Sequence, residues 1–301
     1  MVDVSIIIVN YNTRELLQNC LSSVFAQTKD ISFEVIVSDN DSKDDSEKMV
    51  NDFFPQVIFL KNTTNLGFGK ANNVARKIAC GKYVFFLNSD TILLNNAIKS
   101  FYDFWEENAK FVSLGALGAW LQDKDGNIIH SWEYYPNIHN ITRRFIVAFL
   151  SLFYDWKKNI LNKNKKTNPT TCVPGYITGA ALFMLNNQDA NFDERFFMYS
   201  EEADMEYNSI YKKGKVNFLL SEPRIIHLCG ASSGNKKEVA WYDFTKWSNI
   251  QMNISYILYL KKNFPKHFLE ISFIKFFCIL LFLHPKNYKI AHKFIFNVLK
   301  A

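Results

Sequence analysis

Val4-Ser5-Ile6-Ile7-Ile8-Val9-Asn10-Tyr11-Asn12 is a β-branched apolar run that ends in a polar turn. It reads as a strand, Val4–Val9, and comparable runs follow at Phe33–Ser38, Val57–Leu60 and Tyr83–Leu87. Between them lie segments of helical period, Arg14–Ala26, Ser42–Asp52 and Gly69–Ala79. This alternation predicts an α/β fold, a parallel sheet flanked by helices. Past Leu87 the pattern loosens into a helix near Asn96–Asn108, a strand near Val112–Leu121 and a hairpin turn at Asp125-Gly126. An apolar segment Gly179–Leu185, a helix from Glu202 to Lys212, and strands at Val216–Leu220 and Arg224–His227 follow.

Beyond Lys236 the pattern is helical, so the chain divides into an α/β domain, residues 1–235, and a helical C-terminal extension, residues 236–301. A length of 301 residues is enough to bury a full core. With 21% charged and 16% aromatic residues, 28 of them Phe, the composition is that of a folded protein. The net charge of +6 is modest, and Lys and Arg form no stripe of the kind that grips a duplex, which argues against nucleic acid as a partner. Cys20, Cys80, Cys172, Cys229 and Cys278 are scattered without metal or redox spacing and read as reduced thiols. Met1-Val2-Asp3-Val4 shows no basic region or cleavage site, so a cytoplasmic location is expected. Asp155–Thr171, rich in Lys, Asn and Thr, reads as a loop. In the tail, the apolar run Phe268–Leu283 is interrupted by Glu270 and Lys275 and leads into a basic amphipathic stretch, Lys286–Lys300. That fits a helix lying in a membrane interface better than one that spans; core packing is the alternative.

In open α/β sheets ligands bind beyond the carboxyl ends of the strands, and the polar residues here gather at those ends. Asn10 closes the first strand, and Val37-Ser38-Asp39-Asn40-Asp41-Ser42 closes the second. Asp39 suits a base N–H; Asp41 suits a ribose or, taken alone, the cap of the next helix. Asn65-Leu66-Gly67-Phe68-Gly69-Lys70-Ala71-Asn72-Asn73 is a glycine-bearing turn that opens a helix, where backbone can approach a phosphate or base. Phe85-Phe86-Leu87-Asn88-Ser89-Asp90 is a strand that ends in a polar triplet. Asp90 there reads equally as a turn residue or as a carboxylate holding a hard cation against a diphosphate, with Asn88 and Ser89 facing the ribose. Phe192-Asp193-Glu194-Arg195-Phe196-Phe197-Met198-Tyr199-Ser200-Glu201-Glu202-Ala203-Asp204 sets three acids beside an aromatic cluster. They read as a solvated helix start, or as carboxyls whose apolar neighbours suit them to take a proton. His227, at the end of a strand, is structural when taken alone and gains weight only beside Asp90.

In this order the motifs resemble the family 2 glycosyltransferases of GT-A fold, a Rossmann-like sheet that handles nucleotide-diphospho-sugars, and within them the rhamnosyltransferase-like branch of bacterial surface polysaccharide assembly. The resemblance covers about the first three quarters of the chain. It implies that Asn10, Asp39, Asp41, Gly67, Asn72, Asn88, Ser89 and Asp90 bind the nucleotide-sugar and that Gly179 and Ala180 line the acceptor side. It also implies a divalent metal, Mn²⁺ or Mg²⁺, on Asp90 and His227. The second acid of the family's Glu-Asp pair is the catalytic base; that position is Glu202, one methylene longer than the family's Asp, with Glu201 and Asp204 as neighbouring acids able to act instead. The first triplet position is Asn88 rather than Asp.

The implied activity is inverting transfer of a sugar, on the branch resemblance rhamnose, from a nucleotide-diphosphate donor to a hydroxyl of a glycan or lipid-linked glycan. The implied place is the inner face of the cell membrane, through peripheral contact. Two rival readings are a catalytically impaired nucleotide-sugar-binding protein, motivated by the Glu202 departure, and a membrane-surface scaffold.

Overall fold

In a computed structural model of the chain, residues 2–136, 168–228 and 247–267 are described. Residues 155–167 of the expected Lys-rich loop, the apolar run Phe268–Leu283 and the basic stretch Lys286–Lys300 lie outside them. The chain divides into two units. The first consists of Met1–Glu133, Lys165–Phe197 and Glu201–Lys236, and the second of Tyr134–Asn164, Met198–Ser200 and Lys237–Ala301.

The first unit is built on a mixed sheet. Strands β1 (Val4–Asn10), β2 (Phe33–Asp39), β3 (Ile58–Lys61) and β4 (Tyr83–Asn88) are joined by helices α1 (Arg14–Gln27), α2 (Ser46–Phe53) and α3 (Phe68–Arg76). A short β5 (Thr91–Leu93), α4 (Ala97–Asn108), β6 (Leu114–Ala119) and β7 (Trp132–Tyr134) follow. Then come β8 (Thr171–Val173), β9 (Gly175–Ile177), β10 (Ala181–Leu185), α5 (Glu201–Ser209), β11 (Val216–Leu220) and β12 (Ile225–His227). The eight-stranded sheet has the order β3-β2-β1-β4-β10-β6-β11-β8. β1 lies parallel to both β2 and β4, whereas β10 runs antiparallel to β4. Because helices cover the sheet, β1 and β4 are largely apolar runs rather than alternating ones, and Ile6, Ile7, Ile8, Phe85 and Phe86 have no exposed surface.

The phenylalanine content has a structural use in this unit. Phe183 on β10 stacks on Tyr83 at 5.1 Å and on Phe101 of α4 at 5.6 Å, between ring centroids. Rings of this size bring more buried apolar area per residue than aliphatic side chains and so fasten α4 to the centre of the sheet.

Of the boundaries that differ from those the sequence suggests, two have a visible local cause. The second helix starts at Ser46 rather than Ser42, because residues 42–45 bind the loop after β1. Asn12 N donates to Ser42 Oγ at 2.8 Å, Lys43 N to Asn12 Oδ1 at 2.8 Å, and Arg14 N to Asp44 Oδ2 at 2.7 Å. The helix opened by the acids ends at Ser209 and gives way to a tight turn, Tyr211–Lys213, closed by Gly214 at φ 66°. The Asp125-Gly126 hairpin is present: Gly126 has φ 76°, and Asp123 N donates to Asn127 O at 2.9 Å.

In the second unit, α6 (Trp247–Asn263) buries Ile257, Tyr259 and Leu260. Its Ser255 hydroxyl donates to Met198 O at 2.7 Å. Among the described residues no helix is long and apolar enough to cross a membrane.

Candidate active site

The carboxyl edge of β1, β2 and β4 carries a closed polar network. Asn10 Nδ2 donates to Asp39 Oδ1 at 2.7 Å, and the other Asp39 oxygen accepts from Ser42 N at 2.9 Å. Thr13 Oγ1 reaches Asn10 Oδ1 at 2.6 Å and Ser89 Oγ at 2.9 Å, linking the first strand to the triplet after β4. Asn10, Asp39, Ser89 and Asp90 are all buried. Asp41 stands at the rim in the left-handed region, φ 63°, paired with Lys43 Nζ at 2.6 Å.

The structure brings Asp90 and His227 together, and β5 is the reason. This strand starts one residue after Asp90 and pairs antiparallel with β12, setting His227 opposite Thr91. Leu228 N then donates to Asp90 O at 2.9 Å, and His227 Nε2 lies 3.2 Å from Asp90 Oδ1 and 3.5 Å from Asn88 Nδ2. Cys20 beneath is buried against Asn88 O and Thr91 Oγ1; burial pushes its thiol up to about 12, so it is no nucleophile. Cys20, Cys80 and Cys172 are free.

The glycine turn is largely occupied by the protein itself. A Cβ on Gly67, at φ 80°, would come within 2.0 Å of Phe197 O, the same carbonyl that accepts from Phe68 N at 2.9 Å. Asn40 Nδ2 donates to Gly67 O at 3.0 Å, and Asn73 makes two bonds to the Phe192 backbone. Asn72 is buried and donates to Phe68 O on its own helix at 3.1 Å. This segment therefore docks α3 on the aromatic stretch before α5, a role visible only in three dimensions.

α5 packs against β9 and α3. The chain enters it through Tyr199 and Ser200, both left-handed, with φ 70° and 63°. Consecutive non-glycine residues in this region are strained, a feature that clusters at functional sites. Glu201 is buried and Glu202 half-buried, and one carboxyl oxygen of each is shielded from solvent without a hydrogen-bond partner. Burial raises the Glu202 carboxyl above its ordinary range, opposed by the amides of Glu202 itself and Gly179 and by His130. Burial, reinforced by the charge on Glu202, raises Glu201 well above it. Asp204 is buried, with Asn208 Nδ2 at 3.2 Å from its Oδ1.

Gly179 and Ala180 connect the two sides. The Gly179 backbone lowers the proton affinity of the Glu202 carboxyl, and Ala180 O accepts from Asn88 N at 3.0 Å. Gly179 and Ala180, adjacent in the chain, thus bear on Glu202 and on the triplet that carries Asp90. A residue the sequence reading missed also belongs here: Glu206, fully buried, accepts from Ile177 N and from Asn217 Nδ2 at 2.7 Å. It has no motif of its own, because its partners lie on separate strands.

For a hard divalent cation, Asp90 and His227 offer one carboxylate and one imidazole within reach of each other. Among the described residues no third His, Cys, Asp or Glu completes a metal-binding group. Such a pair fits a cation that takes its remaining ligands from a diphosphate and water, as Mg²⁺ and Mn²⁺ do in phosphate sites.

The described fold is that of the GT-A glycosyltransferases. It matches S. aureus TarS 1-349 in complex with UDP at a TM-score of 0.51 and 17% identity, over 86% of this chain and 65% of that one. It matches GalNAc-T7, solved with UDP, GalNAc and Mn²⁺, at 0.59 and 12% identity, over 87% of this chain and 48% of that one. The model of glycosyl transferase family 2 matches residues 5–186, and the chain belongs to that family. Over 172 residues it is 31% identical to a poly(ribitol-phosphate) beta-glucosyltransferase of Bacillus spizizenii, 56% of this chain and 27% of the relative. A poly(ribitol-phosphate) beta-N-acetylglucosaminyltransferase, TarP, of Staphylococcus aureus is 28% identical over 69% of this chain and 62% of its own length. An N-acetylglucosaminyl-diphospho-decaprenol L-rhamnosyltransferase of Mycobacterium tuberculosis is 26% identical over 76% of this chain and 77% of its own length. The chain thus spans less than two thirds of the first two relatives.

Proposed function

We propose that this protein is an inverting glycosyltransferase of cell-surface polysaccharide assembly, with Glu202 as the base. The observation that supports the reading is that Glu202, a half-buried carboxyl with a shielded oxygen and a proton affinity raised by burial, is influenced by Gly179, whose neighbour Ala180 accepts from Asn88 N at the end of β4. Asn10 and Asp39 hold the nucleotide, with Asp41 at the rim and Asn88 and Ser89 toward the ribose. Glu202 takes the proton of an acceptor hydroxyl as that oxygen bonds to the anomeric carbon, and the nucleotide diphosphate leaves from the opposite face with the bonding pair. Configuration inverts. A carboxyl raised by burial is the better base near neutral pH. Mn²⁺ or Mg²⁺, held by Asp90 and His227, would offset charge on the leaving diphosphate.

The relatives' names, which cover glucosyl, N-acetylglucosaminyl and L-rhamnosyl transfer, support the reaction class and leave several sugars in play for this chain, rhamnose among them. Residues 236–301 form the extension whose tail meets the inner face of the membrane, close to a lipid-linked acceptor.

A thermal-shift screen tests this reading, because a ligand that binds only the folded state raises its apparent stability. UDP-glucose, UDP-N-acetylglucosamine and dTDP-rhamnose are compared with and without Mn²⁺, on the wild type and on Asp90→Ala. At least one donor should stabilise the wild type in a Mn²⁺-dependent way and leave Asp90→Ala unmoved. Equal stabilisation of both proteins would remove Asp90 from the metal, and no stabilisation by any donor would remove the reading.

A further inference from the structure

Thr13 is the N-cap of α1, a position where a threonine hydroxyl ordinarily accepts from the first free N–H groups of the helix. Here it makes no such bond. It is turned to the strand edge instead, 2.6 Å from Asn10 Oδ1 and 2.9 Å from Ser89 Oγ. Local preferences given up in this way concentrate at functional sites.

The direction of each hydrogen bond along this edge follows from one carboxylate. Asp39 only accepts, so the Asn10 amide faces it with Nδ2, at 2.7 Å. The same Nδ2 lies 3.1 Å from Ser42 Oγ, which already accepts from Asn12 N. Asn10 therefore turns its oxygen toward Thr13, and Thr13 gives its single proton to that oxygen. With this proton committed, the contact between Thr13 and Ser89 is a hydrogen bond only if Ser89 donates. The series from Ser89 through Thr13 and Asn10 to Asp39 thus runs one way, and Ser89 has only lone pairs left for a ligand. Asn10, Thr13, Asp39 and Ser89 are all buried, and reversal would leave the Asn10 oxygen without a donor, which is costly. Ser89 also lies away from the imidazole: Asn88 Nδ2 and Asp90 Oδ1 face His227 at 3.5 and 3.2 Å, whereas Ser89 between them turns to Thr13.

We propose that Thr13 is a positioning residue that makes Ser89 an acceptor-only contact for a ribose hydroxyl, so that the site selects a nucleotide whose sugar donates a hydrogen bond there. This rests on the reading of the strand edge as the nucleotide site. A diphosphate oxygen, which also only accepts, is disfavoured at the same contact. Where the hydroxyl is the 2′ one, deoxyribonucleotide donors such as dTDP-rhamnose are disfavoured too. A network that merely tied β1 to β4 would hold the fold together and leave preferences among nucleotides of nearly equal shape untouched.

The test is calorimetric binding of UDP to the full-length chain with Mn²⁺, beside analogues that carry hydrogen, fluorine or an amine in place of the 2′ or the 3′ hydroxyl. Fluorine cannot donate a hydrogen bond, and an amine can. At one of the two positions the wild type should tolerate the amine and bind the hydrogen and fluorine analogues about 3- to 10-fold more weakly, the fold-change of one hydrogen bond. In Ser89→Ala these differences should vanish. Thr13→Val, of nearly the same shape, frees the Ser89 proton, and the fluorine analogue should then bind more like UDP. A wild type that binds the fluorine analogues as well as UDP at both positions overturns the proposal, as does a penalty that survives in Ser89→Ala or is undiminished in Thr13→Val. Should either variant fail to fold, the wild-type series decides by itself. If the chain binds dTDP and not UDP, the 3′ series on thymidine takes its place with the same outcomes. Binding of no nucleoside diphosphate would remove the proposed function as well, whereas binding without the contrast between amine and fluorine removes this inference alone.

Discussion

The first unit holds two groups of acids that differ in how they are satisfied. At the strand edge, Asp39 has both oxygens bonded, to Asn10 and to Ser42, and Asp90 faces His227 at 3.2 Å. On α5, Glu201 and Glu202 each leave a shielded oxygen without a partner, and burial pushes both carboxyls up. The first arrangement suits binding, since bonded groups are held in place before a ligand arrives. The second suits proton transfer, since a carboxyl short of hydrogen bonds gains most from a proton. A carboxyl of the second kind weakens the fold, and its retention is what a functional role would explain.

The sharpest way to break this comparison is to neutralise the α5 side. If Glu202 is the base, Glu202→Gln keeps shape and donor binding while kcat falls ~10²- to 10⁴-fold, the usual contribution of general-base catalysis. Binding is read by thermal shift and turnover by diphosphate release. Near-normal turnover, with loss in Glu201→Gln or Asp204→Asn, would move the base to a neighbouring acid.

How much of this was legible in the sequence varies with the range of the interaction. β1, β2, β4 and β10 could be read because each is a run of apolar residues long enough to mark itself, and the polar residues at their ends followed from chain order alone. β5, β8 and β9, at three residues each, carry no periodicity, yet β5 is what sets His227 opposite Thr91. The glycine turn looked like a ligand cradle because nothing local reveals that Phe197 O fills the space a Gly67 side chain would take. Glu206 has no local signal for the same reason, its side-chain partner Asn217 lying 11 residues on and on a different element.

On the strand-edge side, Asp39→Ala should destabilise the fold by roughly 1–3 kcal/mol, because it leaves the buried amide of Asn10 and the Ser42 N–H short of an acceptor. Urea denaturation reads this directly as a lower midpoint at unchanged slope. An unaltered midpoint would mean that the strand-edge network is not the satisfied, pre-formed partner in the comparison.

The smallest effect expected has the opposite sign, and its dependence on pH makes it diagnostic. Glu201 is 3% exposed and its carboxyl is raised well above the ordinary glutamate value of 4.5. Between that value, which applies to the unfolded chain, and the higher one of the folded chain, the native state binds more protons than the unfolded state. Stability contributed by this group is therefore fully present below about pH 4.5 and is lost as pH rises through the folded value. Glu201→Gln removes the ionisation and so should stabilise the protein at neutral pH. The gain should shrink toward zero as the pH is lowered below 4.5, where the wild-type carboxyl is protonated in both states. Thermal melts of both proteins across this range provide the measurement. A variant that is less stable than wild type at neutral pH, or whose difference from it does not change with pH, would show that Glu201 is satisfied in the folded chain and would erase the contrast between the two acidic groups.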